Sequence, residues 1–232
     1  MFVRRSLLVF ALALMVVRCA DQPTAVNAPA AVNASTTPQF LSWAGNVAPQ
    51  FSATSSRQRG NGRERMSPPV SLDRYTASFW AVRGEARSIQ INYQSSIDDS
   101  THPFLRLKTT DPAFVPGVGT LATGDSVLIT VTVDTTKIGV TLEPSGLQFG
   151  DAAKLEIWYG GAGGDMNGDA VVDSTDASIE QELLGLWYRE GEADQWTHMS
   201  ASQDVGDKSF TYALPHSCEY AIAAMRELAV SW

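Results

Sequence analysis

Residues 126–134 read SVLITVTVD, and the alternation of Val127, Ile129, Val131 and Val133 fits an extended strand with one buried face. On a helix the same four side chains would scatter around the axis. Eight further short runs share the β-branched and aromatic bias: residues 75–82 (YTASFWAV), 88–93 (SIQINY), 104–108 (FLRLK), 154–159 (KLEIWY), 186–189 (LWYR), 196–199 (WTHM), 210–214 (FTYAL) and 220–224 (YAIAA). Turn signals separate many of them: Gly84, Asp111-Pro112, Gly117 and Gly119, Gly124-Asp125, and Pro144-Ser145-Gly146. Many short strands with this punctuation predict a mostly β fold, a sandwich or barrel, over residues 67–232. That length suffices for one core.

What precedes this region has another character. Arg4 and Arg5 are followed by an unbroken apolar run, residues 7–17, the pattern of a signal peptide over residues 1–18. The run is too short for a permanent bilayer span. Val16-Val17-Arg18-Cys19 resembles the lipobox of bacterial lipoproteins, which implies lipidation at Cys19 and attachment to the bacterial outer membrane or cell surface. Arg18 departs from the small residue of that motif, so a secretory signal cut elsewhere stands as the alternative. Residues 19–66, rich in Ala, Pro, Asn, Ser and Thr, read as a disordered tether in which Phe40, Trp43 and Phe51 dock transiently. The four arginines of residues 57–65 (RQRGNGRER) suit solvated linker or, alternatively, a patch for anionic lipid or polysaccharide. Cys218, the other cysteine, is expected to be buried and unpaired.

Charge locates the chemistry. The net charge of −8 argues against a nucleic-acid partner. Residues 1–66 carry +5 and the remainder −13, of which residues 165–194 hold −8. Within that stretch, residues 164–184 read GDMNGDAVVDSTDASIEQELL. Asp165, Asn167, Asp169, Val171, Asp173 and Asp176 fall at positions 1, 3, 5, 7, 9 and 12 of an EF-hand loop. Alternate donors let a short loop wrap a hard divalent cation, Val171 through its backbone carbonyl. Without a cation, the crowded carboxylates repel one another. Val172, at position 8, is expected to turn inward. A flexible glycine run, residues 160–164, should precede the loop. A helix over residues 176–184 should follow it, with Ile179, Leu183 and Leu184 on one side and Gly185 as its stop. Loop plus exiting helix resembles one half of a dockerin, which implies calcium binding; the second repeat of that family is absent. Ala170 replaces the glycine expected at position 6, and Asp176 is shorter than the usual Glu. Together they predict weak affinity, roughly 10⁻⁵–10⁻³ M.

Residues 141–159, with Trp196 and the ending His216 to Ile222, are similar to the β-sandwich domain of ankyrins, tight-junction scaffolds and netrin receptors. That resemblance implies a structural or interaction module with no catalytic residues. His102, His198 and His216 sit in no catalytic motif, and no nucleophile elbow, HExxH or phosphate loop is present. The expectation is therefore a non-catalytic, exported, calcium-binding surface module for adhesion or assembly, with a protein or glycan partner. The alternative is a carbohydrate-binding module using Trp80, Trp158, Tyr159, Trp187, Tyr188 or Trp196, with calcium purely structural.

Overall fold

The computed structural model describes residues 37–58, 64–72 and 74–226. The alternation of residues 126–133 becomes register: Val127, Ile129, Val131 and Val133 are buried while Ser126 and Leu128 face outward. In chain order the strands are β1 (Thr37–Phe40), β2 (Phe51–Gln58), β3 (Glu64–Met66), β4 (Val70–Ser71), β5 (Thr76–Val82), β6 (Arg87–Gln94), β7 (Thr101–Thr109), β8 (Pro112–Val115) and β9 (Gly119–Thr120). They continue as β10 (Ser126–Val133), β11 (Gly139–Glu143), β12 (Gln148–Trp158), β13 (Leu184–Arg189), β14 (Thr197–Met199), β15 (Ser202–Asp204), β16 (Ser209–His216) and β17 (Glu219–Arg226).

These strands make two antiparallel sheets, as expected for a β-sandwich. One runs β14-β13-β17-β11-β10-β5, with β1 also on β17. The other runs β15-β16-β12-β7-β6-β2-β3, with β4 on β2 and β8 joining β12 to β9. Ile129, Val131, Leu142 and Ile222 of the first sheet and Ile91, Leu105, Leu107 and Leu155 of the second are all fully buried. Each such side chain contributes roughly 1.5–3 kcal/mol by leaving water, so the two facing rows dominate stability.

The expected tether is corrected from Thr37 onward. Leu41 donates to Ile222 O at 3.0 Å, and its own carbonyl accepts from Ile138 at 2.7 Å. Trp43 is 2% exposed. Its ring meets Phe104 at 5.0 Å and Phe51 at 5.2 Å, and its Nε1 donates to Asp134 O at 2.9 Å. These aromatics are core, not transient contacts. Strand β2 pairs with β6 from Phe51 opposite Tyr93 to Arg57 opposite Arg87. The arginine-rich stretch is likewise no linker where it is described, because Arg57 stands opposite Arg65 in the β2–β3 pair. The signal peptide (1–18), Cys19, residues 20–36 and residues 59–63 lie outside the described residues.

Candidate metal-binding loop

The acidic loop leaves the second sheet at the end of β12 and returns to the first at β13. Its entry is not a flexible spacer. Residues Gly160–Ala162 form one 3₁₀ turn, and a Cβ on Gly161 would stand 2.6 Å from Cζ3 of Trp43. Glycine is required there so the chain can lie on the indole. Gly163 and Gly164 then take positive φ and swing the chain outward.

Within the loop each acidic side chain organises backbone amides. Asp165 Oδ1 accepts from Gly168 N at 2.7 Å and Asp169 N at 3.2 Å, and its Oδ2 from Ala170 N at 2.9 Å. Asn167 Oδ1 accepts from Asp169 N at 2.9 Å, and Asp169 Oδ1 from Val171 N at 2.8 Å. Ala170 has φ 67°, so position 6 makes its left-handed turn without glycine. Asp173 caps the helix α1 (Ser174–Ser178), accepting from Thr175 N at 2.7 Å. Asp176, at position 12, is 2% exposed. Its Oδ1 accepts from Met166 N at 2.7 Å and Asn167 N at 3.2 Å, and its Oδ2 from Asp173 N at 2.9 Å. The amide of Asp173 first, then those of Met166 and Asn167, hold the Asp176 carboxyl below its ordinary range against the opposing effect of burial.

Oxygen donors of this kind are the type a hard cation takes. A carboxylate oxygen has two lone pairs. Asp176 Oδ1 spends both on amides, which leaves Oδ2 to close the site from one oxygen. The Asp169 oxygens, Asn167 Oδ1 and Asp165 Oδ2 each retain capacity. The carboxylates are nevertheless spread. Among the described residues, Asp, Glu, His or Cys ligand atoms come together in a group of three within 4.8 Å only at Glu190, His216 and Cys218. A cation in the loop would draw the acids inward.

Some surroundings were not foreseen. Met166, at position 2, is 2% exposed and roots the loop in the core. Gln39 Nε2 donates to Asn167 O at 2.7 Å, so β1 braces the loop's outer edge. A cavity of about 480 Å³ lies alongside, lined in part by Phe40, Ser42, Asp165 and Asn167. An apolar residue in an otherwise polar loop was the one sequence signal for Met166. Nothing local signalled Gln39.

Three expectations about the flanks are corrected. Val172 does not turn inward; it is 66% exposed. The helix spans only Ser174–Ser178 and widens into a π turn, Ile179–Leu183. Ile179 packs on the core, Leu183 is exposed, and Leu184 already belongs to β13. Gly185 is not a helix stop but a strand residue, where a Cβ would stand 2.2 Å from Nε2 of His198.

The histidines and aromatics can be placed as well. His102 Nε2 lies 2.6 Å from Ser100 Oγ and 3.0 Å from Asp98 Oδ2. Both partners use the same ring nitrogen, so this group lacks the opposite-nitrogen contact of a Ser-His-Asp relay. His198 faces Trp187 edge to face at 5.2 Å. His216 ends β16, and its Nδ1 is buried without a hydrogen-bond partner. Trp158, Tyr159 and Trp187 are buried, while Trp80 is 57% exposed. Trp196 packs on Phe40 at 4.8 Å with Lys137 and Arg189 over its ring. Cys218 is buried and unpaired, as expected, and burial pushes its thiol up to about 12.

Fold and site together define a class: an antiparallel two-sheet β protein that carries one acidic twelve-residue loop between its sheets. Compared with known proteins, the chain matches no family, no curated protein and no solved structure.

Proposed function

We propose that the protein is a non-catalytic calcium-binding module, exported and held at the bacterial cell surface through Cys19, that serves adhesion or assembly. The observation that carries this reading is the preformed loop. Its acids hold the backbone amides of a tight turn, and Ala170 takes a left-handed φ within it, which supports the reading. Calcium supplies the positive charge that lets the spread carboxylates converge. A single-oxygen closure by Asp176 supports weak binding, roughly 10⁻⁵–10⁻³ M. Titration calorimetry of calcium into the chelator-treated protein, with magnesium as control, tests the reading. One calcium per chain, lost in Asp165→Ala, is the expected result. Equal heat in the variant, or none in the wild type at millimolar calcium, overturns it.

A second reading rests on one separate observation. The exposed Trp80 lines a cavity of about 360 Å³ together with Arg57, Arg65 and Arg87. An aromatic plane among guanidinium groups suits an acidic sugar, with calcium then purely structural. Retention on an acidic polysaccharide matrix, lost in Trp80→Ala and indifferent to chelator, would favour this second reading over the first.

A further inference from the structure

At the end of the sandwich where the chain changes sheet, three metal-ligating side chains converge that the calcium reading does not use. Glu190 follows β13, His216 closes β16, and Cys218 lies in the two-residue link to β17. A carboxylate oxygen of Glu190, a ring nitrogen of His216 and Sγ of Cys218 lie within 4.8 Å of one another. Register explains the meeting. Arg189 of β13 stands opposite Glu219 of β17, so the next residue, Glu190, continues past it toward Cys218. His216 arrives from the other sheet.

The groups are held but under-used. His216 Nε2 is 3.5 Å from Glu190 Oε1, and its Nδ1 is buried with no hydrogen-bond partner. Buried imidazole nitrogens ordinarily find one. Cys218 is an unpaired thiol, 1% exposed, with a 3.7 Å contact to Glu219 O. The intervening backbone is fixed. Ser217 N donates to Leu147 O at 2.9 Å, Ser217 Oγ accepts from Leu147 N at 3.0 Å, and Tyr220 Oη donates to His216 O at 2.8 Å. A cavity of about 460 Å³ lined by Glu190, His216, Gln148 and Phe149 opens onto two of the three ligands, with Cys218 buried behind them.

We propose that Glu190, His216 and Cys218 bind a divalent transition metal of the zinc class, with water in the fourth position. Thiolate, imidazole and carboxylate together suit zinc, whereas calcium takes oxygen alone. Ligand atoms at zinc bond lengths of about 2.0–2.3 Å stand roughly 3.3–3.8 Å apart in a tetrahedron. The half-exposed Glu190 side chain has room to adjust toward that spacing, and its Oε1 already stands 3.5 Å from His216 Nε2. On binding, the metal–sulfur bond forms as the S–H bond breaks, the proton leaves to solvent, and the metal keeps its charge. The site takes ligands from both sheets, so the metal would staple them.

Cobalt(II), a spectroscopic stand-in for zinc, titrated into the chelator-treated, reduced full chain tests the proposal. One cobalt per chain is expected, with a near-ultraviolet thiolate-to-cobalt band that zinc bleaches. Cys218→Ser should abolish the band. Glu190→Gln, a change at an exposed side chain, should weaken binding roughly tenfold or more. Asp165→Ala should leave it unchanged, which separates this site from the calcium loop. No band in the wild type overturns the proposal, as does a band that survives Cys218→Ser, which would report Cys19. So does an affinity indifferent to both Glu190→Gln and His216→Gln.

Discussion

Ala170 holds φ 67°, where a Cβ crowds the next carbonyl at about 1–2 kcal/mol. The Asp165 carboxylate, accepting the amides of Gly168, Asp169 and Ala170, offsets that cost. Replacing Ala170 with glycine removes the crowding but adds freedom to the unfolded chain, roughly 0.5–1 kcal/mol. The net expectation for Ala170→Gly is a gain of up to about 1 kcal/mol, read as a rise of roughly 2–4 °C in thermal midpoint. Calcium affinity should change little, because the cation-free loop already makes that turn and the relief is shared by both states. Thermal melts in chelator and in calcium check both, and an unchanged or lowered midpoint would show that no strain is stored there. Gly161 is the opposite case. Its φ is unexceptional, but a Cβ would strike Trp43. Gly161→Ala should cost about 1–3 kcal/mol in urea unfolding, as overpacking does. The strain at Ala170 was legible from loop position alone. The constraint at Gly161 was not, because it depends on an indole far upstream.

Most elements with strong inner rows announced themselves, although β11, with Val140 and Leu142 buried, did not. β10 carries four β-branched residues on one face, and every other expected run also became all or part of a strand. β2 did not, because its inner row is Phe51 and Ala53 among serines and threonines. One large anchor among small residues has the composition of a linker, and its burial depends on partners in β6. β15 is short and polar, and β8 and β9 pair at the sheet's margin, so none carried a hydrophobic period. The flanks of the acidic loop were misread, since Val172 and Gly185 take their roles from tertiary neighbours. The consequence at this scale is sharp. A chain beginning at Ser67 lacks β1, β2 and β3 and exposes the edge of β6 that β2 covers. It should fail to unfold cooperatively, and within the full chain Trp43→Ala should cost about 3–5 kcal/mol. A sharp, wild-type-like denaturant transition from the shortened chain would put the core elsewhere.

At the scale of the whole molecule, two sheets share one core, and a strongly acidic excursion joins them between β12 and β13. Folding therefore depends on carboxylates being held by specific donors. Asp176 is lowered from its ordinary 3.8 by the amide of Asp173, then by those of Met166 and Asn167. Burial pushes Asp134 upward, but hydrogen bonds from Lys137 and Thr136 more than offset it, so that group is also lowered. A carboxyl with a depressed folded pKa binds fewer protons than its unfolded counterpart between the two values. Its contribution is therefore complete above the unfolded pKa and is lost as pH falls through the folded one. Thermal midpoints in chelator should be level from about pH 7 to 5 and fall below about pH 4, where the unfolded chain takes up the extra protons. Asp176→Asn keeps the shape and removes the ionisable group, so the variant should start lower at pH 7 and lose less between pH 4 and 3. Circular dichroism melts across that range decide it. A wild-type midpoint that holds or rises down to pH 3 would mean that these carboxylates contribute nothing to the folded state as ions, and the loop's amides would then have to be held by protonated acids instead.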